Sequence, residues 1–136
     1  MSEQIKPWST QRQVLWLIGV VGLALVVLGL GMDFLFHGGF PHGKHGFNSK
    51  PPGIKDIVGS VLFSVPFVYY VIVARSAWSR RLWFAGLAVH LMILALALVW
   101  IIPSGGWSVV WLLFFLPGGL TWVSHVKRSM SLERTV

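Results

Sequence analysis

Residues 14–36 read VLWLIGVVGLALVVLGLGMDFLF. The run holds a single ionisable residue, Asp33, close to its end. At about 1.5 Å of rise per helical residue, about 20 such residues cross a hydrocarbon layer of roughly 30 Å. Three further apolar runs of similar length follow, at 54–74, 82–102 and 107–126. A backbone in lipid must satisfy its own hydrogen bonds, so each run is expected to be a helix. Nothing in them alternates apolar with polar as barrel strands do. The first run is too long for the apolar part of a signal peptide and has no small-x-small cleavage site, so it is read as a retained anchor. The expected fold is therefore all-α: one domain over 1–136, an integral membrane four-helix bundle with kinks at Pro66 and Pro117.

Composition agrees. Of 136 residues, 55% are hydrophobic, and Lys, Arg, Asp and Glu together number only 15 (11 basic, 4 acidic). A soluble domain this short could not bury so much apolar surface. The net charge of +7 could suggest nucleic acid. The basic residues, however, flank the apolar runs in short clusters, the arrangement of membrane anchors, and nucleic acid is set aside as a partner. The absence of cysteine excludes disulfides, thiolate zinc sites and thiol redox chemistry.

Charge also predicts sidedness. Lys6, Arg12, Arg75, Arg80, Arg81, Lys127, Arg128 and Arg134 would share one side of an even-numbered bundle. Only Lys44, Lys50 and Lys55 would lie on the other. The positive-inside rule then places both termini in the cytoplasm of a multi-pass protein of the bacterial inner membrane. Trp16, Trp78, Trp83 and Trp122 are expected near the inner interface, and Trp100 and Trp107 near the outer one, as aromatic belts.

Small residues mark close helix contacts in lipid, where burial brings no net hydrophobic gain. The first span carries Gly19, Gly22, Ala24, Gly29 and Gly31, and the third Ala85, Gly86, Ala88, Ala95 and Ala97. These two spans are the candidates for the central contact, either with each other or with a partner subunit. The second and fourth spans each hold F-x-x-P, at Phe63–Pro66 and Phe114–Pro117, with a further proline fourteen residues earlier in each case, at Pro52 and Pro103. An internal proline removes one helical hydrogen bond, and paired kinks at equal depth can frame a binding site, which leaves a small-solute carrier open.

Chemistry is sparse at mid-span. Ionisable groups at the centre of a bilayer cost about 2.5–3.5 kcal/mol on insertion scales and commonly mark ion or proton paths. His90 is the one such residue at central depth. It could ligate haem only with a second histidine from another subunit. Otherwise its imidazole is expected to be neutral and bonded to Ser64 or to a carbonyl freed by Pro66 or Pro117.

The outer end is richer. Residues 36–47 read FHGGFPHGKHGF, in a loop over 37–53. Asp33 and His37 are four apart, and His42 and His45 follow, a carboxylate-plus-imidazole set suited to Cu(II) or Zn(II). Lys44 between two of the imidazoles opposes a cation, and a hydrated turn is the alternative. There is no phosphate-cradling loop, no H-E-x-x-H and no Ser–His–Asp grouping, so the chain is read as having no catalytic centre of its own. The expected role is an accessory, assembly or scaffolding subunit that meets lipid and either other membrane subunits or its own copies. A periplasm-facing metal-binding protein is the alternative reading.

Overall fold

The computed structural model describes residues 8–37, 53–104 and 106–135, with residues 33–37, 56, 100, 104 and 106–108 described by their backbone alone. These residues form α1 (Thr10–His37), α2 (Ile54–Arg75), α3 (Arg80–Leu96), a π turn (Ala97–Ile101), the short α4 (Ile102–Ser104), a 3-10 segment (Gly106–Trp111) and α5 (Leu112–Arg134). No strand occurs among the described residues. Four of the helices are long and apolar enough to cross a membrane.

Local chemistry explains where these helices begin and end. α1 starts one turn before its apolar run because Ser9 caps it: the Ser9 hydroxyl accepts from the Arg12 backbone N–H at 3.4 Å. Ser79 does the same for α3, its extended backbone letting the hydroxyl accept from the Leu82 N–H at 3.3 Å. That cap confines the reversal between α2 and α3 to residues 76–79. α5 runs past its apolar stretch to Arg134, so the basic segment KRSMSLER continues the helix. Its hydroxyls bond backwards, Ser129 to the His125 carbonyl at 3.0 Å and Ser131 to the Arg128 carbonyl at 2.8 Å.

The π turn follows from Pro103. A proline ring crowds the carbonyl four residues earlier, here that of Val99, and offers no N–H to the preceding turn. The chain widens just before it, and the Ile102 N–H reaches back five residues to the Ala97 carbonyl. Pro66 and Pro117 both lie inside continuous helices. Their surroundings differ, since Pro66 is fully buried and Pro117 is exposed.

α2 is the central helix. Within the bundle 39% of its span is buried, against 17% for α3. Phe67, Tyr70, Val73 and Ala74 form the heart of the core. α1 packs along α2 and touches α5, while α3 leans on α2 and α5. Of the two possibilities left open for the first and third spans, contact with each other is not what forms within the chain; α1 and α3 meet at most marginally. The small residues serve other partners. A Cβ at Gly22 would overlap the Phe67 ring, and one at Gly19 would sit 2.6 Å from Val71 Cγ2. Seven residues on, the seam has opened: a Cβ at Gly29 would meet nothing within 4 Å beyond its own helix, and a cavity of about 180 Å³ forms between Leu25, Gly29, Ser60 and Trp111.

Between α2 and α5 the contact is aromatic. The Phe67 ring stacks on Phe115 with centroids 5.2 Å apart and meets Phe114 edge-on at 6.4 Å, while Phe63 lies 5.8 Å from Trp111. Rings in such offset and edge-on pairs are worth about 0.5–1.5 kcal/mol beyond area burial. They also occupy the interval between the two F-x-x-P segments. The outside of the bundle is apolar: Val27, Leu28, Leu113, Leu116 and Leu120 are each more than 60% exposed. A surface of that kind needs an apolar surrounding.

Candidate functional site

Four hydrogen-bonding rings inside the bundle converge on one place. α2 contributes Tyr69 and Tyr70, α3 contributes His90, and α5 contributes Trp122. Tyr70 is fully buried, and Tyr69 and Trp122 are each 6% exposed.

Glycines make the convergence possible. A Cβ on Gly86 would collide with the Tyr69 hydroxyl and the Trp122 ring. One on Gly118 would come within 2.6 Å of the Tyr70 ring. Gly86 and His90 are one turn apart on α3, so the helix that gives way to two rings also supplies the imidazole.

The hydrogen bonds form a closed set. His90 Nδ1 lies 2.6 Å from the Gly86 carbonyl oxygen, which can only accept, so Nδ1 carries the proton. Nε2 of the neutral ring then accepts, and the Tyr70 hydroxyl donates to it at 3.1 Å. The Tyr69 hydroxyl donates to the Leu82 carbonyl at 2.7 Å and accepts from the Trp122 indole N–H at 2.8 Å. The His90 ring stacks on Trp122 with centroids 4.4 Å apart and planes 24° apart. Three helices are thereby joined by directional bonds in an apolar interior, where an unmet donor is costly.

Trp122 corrects one expectation. It is not part of an interfacial belt, because its N–H finds the Tyr69 hydroxyl inside the bundle and needs no water. His90 also chooses different partners from those expected. The Ser64 hydroxyl turns back to the Val61 carbonyl at 2.7 Å, and the histidine uses a carbonyl of its own helix plus Tyr70. Both imidazole nitrogens are engaged and one face is covered by indole. A haem ligand at His90 would have to surrender the Tyr70 bond, so the residues present do not suit that group.

Of the expected metal set, His42 and His45 lie outside the described residues, as do the side chains of Asp33 and His37. The backbone of α1 does continue to His37, so Asp33 and His37 stand one helical turn apart. Among the described residues no group of three or more His, Cys, Asp or Glu could hold a metal ion.

Sequence reasoning missed the meeting of Tyr69, Tyr70 and Trp122 with His90. One signal was available: four hydrogen-bonding rings in three apolar runs, with glycines at 86 and 118 too small to fill the space opposite them. His125, unlike the half-buried His90, is buried at 6% exposed, with Trp78 edge-on to its ring at 6.4 Å. Comparisons with protein-family models, with curated proteins and with solved structures give no match to this chain.

Proposed function

We propose that the chain is a small multi-pass accessory or assembly subunit of a bacterial inner membrane, with both termini in the cytoplasm and no catalytic centre of its own. One observation carries this reading. Small residues that the bundle does not use for its own packing lie on its outside: Ala85, Ala88 and Ala95 on α3, and Ala24 on α1, are all exposed. Ala88 and Ala95 are seven apart and share a helix face. Small residues on an outer face let a second membrane helix approach closely, which lipid alone does not require. The closed hydrogen bonding around His90 supports the same reading, because the polar groups of that cluster are spent on one another as glue between helices.

The test is the size and stoichiometry of the chain in a mild-detergent extract. The expected result is a complex larger than the monomer that Ala88→Leu with Ala95→Leu dissociates, the variant keeping its helix content. A monomeric wild-type chain in native extracts would defeat the proposal.

A further inference from the structure

At the end of the bundle where α1 begins and α5 finishes, a cavity of about 280 Å³ is lined by Trp8, Ser9, Arg12, His125, Arg128 and Leu132 among others. Two arginines line it, and neither has a salt-bridge partner among the described residues. A larger neighbouring cavity of about 550 Å³ differs in one respect, because Glu133 lines it together with Arg80 and Arg134. The Arg12/Arg128 cavity has no acid to offset its charge among the described residues.

Its walls are amphiphilic. The guanidinium forks of Arg12 and Arg128 match the paired oxygens of a phosphate, which they can grip bidentately. The Ser9 hydroxyl oxygen accepts from the Arg12 N–H, which leaves its proton available to an anion. Trp8 and Leu132 give the cavity an apolar flank. Arg128 and Leu132 lie beyond residue 126, where the apolar run of α5 stops, which is the depth of phospholipid headgroups if α5 crosses a bilayer.

We propose that this cavity binds the phosphate headgroup of an anionic phospholipid from the cytoplasmic leaflet, with Arg12 and Arg128 as the phosphate ligands. Basic pockets between helices at that surface hold such headgroups, and the attraction fades within about 10 Å in salt, so contact in a pocket matters more than diffuse charge. The inference rests on the membrane reading proposed above.

The experiment uses the full chain in nanodiscs of phosphatidylcholine, with and without phosphatidylglycerol, and counts retained lipid by native mass spectrometry. Wild type is expected to retain phosphatidylglycerol selectively. Arg12→Gln and Arg128→Gln are each expected to lower that retention about fivefold. Arg75→Gln with Arg81→Gln removes two exposed charges near the same end and is expected to leave it unchanged. Equal loss in that control, or a wild type with no preference for phosphatidylglycerol, would overturn the site. Stabilisation by inorganic phosphate without any lipid preference would also overturn it, reassigning the cavity to a soluble anion. The wild-type comparison needs no variant, so it decides the matter even where a substitution prevents folding. Release of the chain by carbonate washing would defeat the membrane reading itself, whereas a retained chain without lipid preference defeats only the headgroup site.

Discussion

The Tyr70 hydroxyl stands 3.1 Å from His90 Nε2, while the other nitrogen of the same ring is tied to the Gly86 carbonyl. α2 therefore holds α3 through a side chain whose own orientation is set one turn earlier on α3. Tyr70→Phe removes the only donor reaching Nε2 among the described residues and should lower stability by about 1 kcal/mol. Thermal unfolding in detergent measures it. In a Tyr70→Phe background, His90→Phe should cost less than it does alone. Strict additivity of the two changes would mean that the bond contributes nothing.

Tyr69→Phe should be more damaging than Tyr70→Phe. The Tyr69 hydroxyl serves two bonds, and its loss strands the buried Trp122 N–H as well as releasing the Leu82 carbonyl. An unmet buried donor costs about 1–3 kcal/mol. Adding Trp122→Phe should recover part of that loss on the unmet donor, although it disturbs the stack on His90. An unfolding midpoint for Tyr69→Phe at or above that of Tyr70→Phe would contradict the bonding scheme.

Gly22 and Gly29 give a paired test of the α1–α2 seam. Alanine at 22 would drive its methyl into the Phe67 ring, which is fully buried and stacked on Phe115. Overpacking of this kind costs about 1–3 kcal/mol. Alanine at 29 meets nothing within 4 Å and should be neutral, or stabilising by up to about 1 kcal/mol through helix propensity. Equal unfolding midpoints for the two variants would rule out the seam as described.

The absence of cysteine makes sidedness simple to measure, because each introduced thiol is the only one in the chain. Under the proposed topology His45→Cys should react with a membrane-impermeant maleimide on intact spheroplasts. Ser131→Cys should react only after the membrane is opened. The reverse pattern would place the basic end of the bundle outside.

Much of this architecture can be read along the chain. The expected start of the first span at residue 14 and the observed start at Thr10 differ by the one turn that Ser9 caps. The second span agrees to within one residue, 54–74 against Ile54–Arg75. The third was expected to run unbroken to 102, but α-helical geometry stops at Leu96 because Pro103 widens the turn before it. The partners of His90 were harder to foresee. Depth along a span follows from counting residues, but rotation about the helix axis does not, and rotation decided that Trp122 turns inward.

Taken alone, the chain determined that four helices long and apolar enough to cross a membrane form, and it set the expectation that most basic residues share one side. Run length, capping residues and charge are properties of the linear order, and each acts within a few residues. Tertiary structure alone decided which glycines are filled by rings and which stand open, and that Tyr69, Tyr70, His90 and Trp122 close on one another. These are matters of which helix faces which. In a chain so uniformly apolar, hydrophobicity hardly distinguishes one face from another, so the choice falls to shape and to the few hydrogen bonds that must be met inside.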